Sequence, residues 1–163
     1  MAAPDRTSGS SPVAPERRRP RRKVVRRASP SHVPNEAPSQ WGRRLARAVG
    51  AHFGVTMSPN HAKNEGTFGN RDIVIKCAKS TTPPVSVLSS MLERLDDVWA
   101  VFILADGSAE VWTAPARVIR KHAHQTRGLK AAPRFEITRR RLSPHAKLVG
   151  VLPVAEVERC RIP

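Results

Sequence analysis

The sequence predicts a small α/β (α+β) domain, a mixed sheet flanked by helices, preceded by a disordered basic N-terminal arm. Three observations carry this. Apolar residues recur at helical spacing in Trp41, Leu45, Val49 and again in Leu88, Met91, Leu92, Leu95, Val98. Strand-length apolar runs, Asp72 to Ala78 and Val98 to Ala105, separate or follow them. The first forty residues hold seven of the fifteen prolines and no aromatic residue, so they cannot bury enough apolar surface to offset the entropy of ordering them. The expected division is a disordered arm at 1–40 and one domain at 41–163, with a core at about 41–124 and a basic extension at 125–163.

Within the arm, Arg17, Arg18, Arg19, Arg21, Arg22, Lys23, Arg26 and Arg27 place eight cations in eleven residues. Their repulsion keeps the segment extended. A polyanion relieves it and releases its own counterions, so phosphate contact is the expected role. The alternative is a tail that only confers solubility.

From Trp41 the elements follow in order. Trp41, Leu45 and Val49, with Arg43, Arg44 and Arg47 between them, predict an amphipathic helix with a basic outer face. Phe53, Val55 and Met57 alternate as a short strand, and the Asn- and Gly-rich stretch 58–70 predicts a long turn or hairpin. The β-branched run 72–78 predicts a buried strand, with Asp72, Val74 and Lys76 on one face and Ile73, Ile75 and Cys77 on the other. Pro83-Pro84 opens a second helix, over about 85–97. Trp99 to Leu104 reads as a central strand, returned antiparallel at 109–113 by the Asp106-Gly107 turn. Pro115 starts a third helix bearing Val118, Ile119 and His122. Beyond Arg127 the pattern thins to a strand at 135–138, the cluster Arg139, Arg140, Arg141, and a short helix from Pro144.

Composition narrows the partners. The chain has 29 Lys+Arg against 13 Asp+Glu, a net charge of +16. The arm contributes +6, with nine cations and three acids in residues 1–40, which leaves +10 for residues 41–163. Both parts are therefore basic, and nucleic acid is the expected partner. No apolar run approaches the roughly twenty residues of a spanning helix, so no membrane is expected. Cys77 and Cys160, in no paired spacing, indicate neither a disulfide framework nor a zinc ribbon. The expected setting is intracellular, cytoplasmic or nucleoid-associated. Nuclear is the alternative, because the arginine run also resembles a localisation signal; an organellar transit peptide would share the arm's Arg-rich, acid-poor character.

Among other chemistry-bearing residues, Arg139, Arg140 and Arg141 form a second candidate phosphate surface, close in sequence to Lys130, Arg134 and Lys147. His122-Ala123-His124 is an H-x-H pair without a Cys or acid at ligand spacing, which favours phosphate contact or a solvated helix end over zinc. Cys77 reads as core, Ser89 and Ser90 lack a nucleophile elbow, and no glycine-rich phosphate loop is present. The Trp and Phe residues fall in or beside predicted core elements, so no stacking platform for single strands is expected.

The segment Gly69-Asn70-Arg71-Asp72-Ile73-Val74-Ile75-Lys76, followed by Trp99-Ala-Val-Phe-Ile-Leu-Ala-Asp-Gly-Ser, resembles the PD-(D/E)xK, restriction-endonuclease-like core over about Trp41 to His124. The resemblance implies a sheet on which two carboxylates hold a divalent metal, Mg²⁺, that activates water, with a lysine two residues after the second acid. Aligning Lys76 with that lysine puts Val74 at the acidic position, and valine cannot bind a metal. The resemblance thus implies a degenerate motif and a nucleic-acid-binding protein, on double-stranded DNA in particular, without a cofactor. An active nuclease would need Glu65 and Asp72 as displaced metal ligands, with Lys76 or Lys79 as the cation. Otherwise Asp72 pairs with a neighbouring arginine, Glu65 is solvated in a loop, and the lysines meet phosphate. A third reading is a basic structural protein of a ribonucleoprotein or virion-like assembly.

Overall fold

The computed structural model describes residues 38–127 and 132–160. The arm cations Arg17 to Arg27 lie outside the described residues, as does Lys130. The fold is mixed α/β, as the sequence predicts.

Helix α1 (Pro38–Phe53) buries Leu45, Ala46 and Val49 completely. It stops where Gly54 takes φ +75°, a conformation that costs other residues a Cβ clash. The chain then makes a meander of β1 (Thr56–Met57), β2 (Glu65–Phe68) and β3 (Arg71–Ala78), with Gly69 at φ +59° in the β2–β3 turn. It continues through β4 (Val85–Leu88), α2 (Ser89–Arg94) and β5 (Asp97–Ile103), which lies parallel to β3. Strand β6 (Ala109–Pro115) returns antiparallel and hands directly to α3 (Ala116–His122). The remaining elements are β7 (His124–Thr126), β8 (Arg134–Ile137), α4 (Arg139–Leu142) with a 3-10 turn at Ser143–His145, β9 (Lys147–Leu152) and α5 (Val154–Arg159).

Among the described residues six strands form one mixed sheet in the order β1-β2-β3-β5-β6-β9, and β4-β8-β7 form a second, smaller one. Period-two alternation divides the large sheet's side chains between two cores. Ile73, Ile75, Trp99 and Val101 pack with Leu45 and Val49 of α1 and Val157 of α5. Val74, Val98, Ala100 and Phe102 pack with Leu92 of α2, Ile119 of α3 and Val85, Val87 and Ile137 of the small sheet. The division of Asp72–Ala78 between faces follows the prediction, and a strand buried on both faces accounts for its unbroken apolar run. Trp99 anchors the first core, edge-to-face with Phe53 and Phe68 at centroid distances of 6.2 and 5.0 Å.

Three local expectations are corrected. Residues 85–88 form a strand: Val85 and Val87 are buried while Ser86 and Leu88 are not, and Val85 pairs with Ile137. The helical spacing of Leu88 to Val98 overlaps that alternation, and the helix itself is confined to Ser89–Arg94, where Leu95 turns extended at ψ 147°. Phe53 ends α1 and does not open a strand, so β1 shrinks to two residues. After Arg139–Leu142 the chain forms β9 and α5, which the sequence pattern did not announce. Strand β9 extends the large sheet beside β6, with a bulge opposite Val111/Trp112 that keeps Leu148 and Val151 on the face of Trp112 and Glu110. Among the described residues no helix is long and apolar enough to cross a membrane.

Candidate functional site

Three polar constellations emerge on the α2–α3 side of the large sheet. The first is set by the β2–β3 register. Glu65 pairs with Val74 and Thr67 with Asp72, so Glu65, Asp72 and Lys76 share one sheet face although they come from two strands. Glu65 is not in a solvated loop as expected. It stands on β2, its side chain 12% exposed, and Arg94 at the end of α2 grips both its oxygens. Arg94 Nη1 donates to Oε2 at 3.0 Å, and Nη2 donates to Oε1. The Arg94 hydrogen bonds hold the Glu65 carboxyl below the ordinary carboxylate range, against a desolvation that would raise it.

Asp72 is exposed and, contrary to expectation, is not the arginine's hydrogen-bonded partner. Its backbone N–H donates to Asp96 Oδ2 at 2.9 Å, and its charge only adds to the field that raises the Arg94 pKa, a rise caused first by Glu65. Glu65, Asp72 and Arg94 line an open hollow of about 350 Å³ together with Thr67 and Leu95.

Lys76 differs from the others. It makes no hydrogen bond or ion pair among the described residues. Desolvation, the largest effect, pushes its amine pKa down, the Glu65 charge opposes this, and the Arg134 guanidinium depresses it further. Arg134 is exposed on β8 opposite Leu88 of β4. Lys79, one residue beyond β3, is also exposed. The local field therefore contains a largely desolvated cation, a second cation beside it, and one acid already neutralised by Arg94.

A divalent metal fits this donor set poorly. Val74, at the aligned acidic position, is completely buried among Leu92, Leu95 and Val98, and both oxygens of Glu65 are taken by a guanidinium. Among the described residues no three His, Cys, Asp or Glu side chains converge.

The second constellation contains the arginine triplet. Arg139 is committed to Glu110, through Nε to Oε2 at 2.5 Å and Nη2 to Oε1 at 2.9 Å, and Trp112 Nε1 donates to the same carboxylate at 3.0 Å. Arg140 and Arg141 remain exposed. The triplet thus splits into one structural residue and two available cations.

The third is a histidine pair that sequence reasoning missed. His122 does not work with His124, which stands on β7 opposite Glu136. It stacks on His145, with ring centroids 3.7 Å apart and planes at 18°. Neither Arg94 nor His145 carries a local sequence signal; each reaches its partner only through the crossover that folds α2 or the 3-10 turn back over the sheet.

No protein-family model matches this chain, and no curated protein matches it.

Proposed function

We propose that this chain binds nucleic acid, double-stranded DNA in particular, by phosphate contact and without cutting it. The observation that supports the reading best is Lys76: a cation largely removed from water, beside Arg134, with no hydrogen-bonded or ion-paired anion among the described residues, Glu65 acting on it only through its field. An unpaired charge in that setting costs folding energy, and a phosphate oxyanion would recover it. Lys79, Arg140 and Arg141 extend the exposed positive charge, and the arm Arg17–Arg27 adds eight more cations. The donor set supports the reading without cleavage, with Val74 buried and Glu65 held by Arg94. Duplex is favoured over single strands because the described indoles are poorly placed for base stacking: Trp41 packs partly buried against the first core, Trp99 is buried and Trp112 is tied to Glu110.

The test is a salt titration of duplex binding by the full chain, by a chain lacking residues 1–40, and by Lys76→Met. Affinity should fall steeply with salt, the arm deletion should flatten the slope, and each single lost phosphate contact should reduce it by about 1. Equal slopes for all three proteins would refute these contacts. Plasmid cleavage in Mg²⁺ or Mn²⁺, abolished by both Asp72→Ala and Lys76→Ala, would replace the reading with a nuclease.

A further inference from the structure

We infer that His122 and His145 form a proton-linked phosphate contact, so that a polyanion binding this face takes up protons at the stacked imidazoles. The inference rests on the nucleic-acid reading for the identity of the polyanion.

His122 ends α3 and His145 ends the 3-10 turn after α4, and the rings lie face to face at 3.7 Å. Neutral rings tolerate this contact, whereas two imidazoliums at that separation repel. In the free protein, desolvation, then His145, then Lys121 push the His122 pKa down.

Three acids on the packed elements are engaged elsewhere. On α2, Glu93 accepts from the Ser89 hydroxyl at 3.2 Å. On β5, Asp97 is held by Arg71 at 2.8 Å. On β6, Glu110 is held by Arg139; Glu136 on β8, whose backbone pairs with His124, is the acid of these elements without a hydrogen bond or ion pair among the described residues. The cations on these elements are Arg117, Arg120 and Lys121 of α3, Arg94 of α2, Arg139, Arg140 and Arg141 of α4, Arg134 of β8 and Lys147 of β9. Arg94 and Arg139 are already held by Glu65 and Glu110, so the charge of this face comes from the other cations, and protonation of His122 is disfavoured there: a phosphodiester would supply the negative charge that lets it hold a proton.

Linkage gives the sign. If protonation is easier in the complex than in the free protein, affinity rises as pH falls through the interval between the two pKa values and is flat above it. Each proton taken up steepens the affinity by at most about tenfold per pH unit.

The experiment uses the full chain and a labelled mixed-sequence duplex, followed by anisotropy at constant ionic strength from about pH 8 to about pH 5. His122→Phe and His145→Phe keep an aromatic ring but no proton. His124→Phe removes a histidine outside the stack. The wild type and His124→Phe should gain affinity on acidification, and the two stack variants should lose most of that gain while matching the wild type at the alkaline end. Equal pH slopes in all four proteins would overturn the inference while leaving duplex binding intact. No binding at any pH would overturn the nucleic-acid reading itself, and the same titration with heparin then tests the histidines alone. If a variant fails to fold, nuclear magnetic resonance of His122 in the wild type substitutes: its pKa must rise on adding polyanion, and an unchanged titration counts against the proposal.

Discussion

Arg94, the last residue of α2, holds both carboxylate oxygens of Glu65 on β2, 29 residues away in sequence. The pair ties the crossover helix to the second strand of the sheet and places a guanidinium over the acid that the nuclease resemblance would assign to a metal.

This pairing makes acid stability depend on Glu65. Its folded pKa lies below the ordinary value, so its contribution is present above the ordinary carboxylate pKa and is lost as pH falls through the folded one. Arg94 is half exposed, which limits the pair to about 0.5–1 kcal/mol. Chemical denaturation should show Glu65→Gln less stable than the wild type by that amount at neutral pH and equal to it once Glu65 is protonated. A difference that persists unchanged in acid would show that packing, not charge, is responsible.

Installing the missing acid should not create a nuclease. Val74 is completely buried and lies across the strand pair from Glu65. A carboxylate there would be completely buried among Leu92, Leu95 and Val98, with Arg94 committed and only Lys76, two residues on along the same face, able to approach it, and a buried charge left incompletely paired costs about 3–5 kcal/mol. Val74→Asp should unfold or melt far below the wild type, whereas Val74→Ile, which keeps the position apolar, should retain the fold. A stable, metal-binding Val74→Asp protein would contradict this account.

Much of this fold could be read directly from residue patterns, and the exceptions have physical causes. Strands β3, β5 and β6 and helices α1 and α3 are legible because their apolar runs or 3.6-residue spacing coincide with single, well-buried elements. Residues 85–95 were not, because Val85 and Val87 alternate for a strand while Leu88, Met91, Leu92 and Leu95 repeat for a helix, and tertiary pairing with Ile137 resolves the conflict. Strand β9 escaped notice because its bulge breaks the two-residue period between Leu148 and Val151. Of the first site, the shared face of Asp72 and Lys76 is a property of one strand and could be read directly. Placing Glu65 there requires the β2–β3 register, and placing Arg94 there requires the β3-α2-β5 crossover.

Two glycines should respond oppositely to alanine. At Gly66 a Cβ would sit 2.5 Å from the backbone oxygen of Thr56, and backbone cannot swing aside. Gly66→Ala should cost about 1–3 kcal/mol and loosen the β1–β2 pairing. Gly42, inside α1, has nothing within 4 Å of the added carbon. Gly42→Ala should stabilise by about 0.5–1 kcal/mol through helix propensity. Thermal melts of the two variants test both signs, and a stabilised Gly66→Ala would show that β1 is not held where its register places it.

Lys76 should separate stability from binding. Its amine pKa is lowered chiefly by desolvation, so the charged form is disfavoured in the folded chain and stability rises as pH climbs from the folded pKa to the ordinary lysine value. Lys76→Met keeps the aliphatic stem and removes the charge. It should therefore be at least as stable as the wild type at neutral pH, by up to about 1 kcal/mol, and should lose the alkaline gain. The same variant should bind duplex more weakly and with a salt slope lower by about 1. A residue kept at a cost to folding and needed for binding is the pattern of a functional cation. If Lys76→Met were destabilised and bound DNA normally, the lysine would instead be a structural residue.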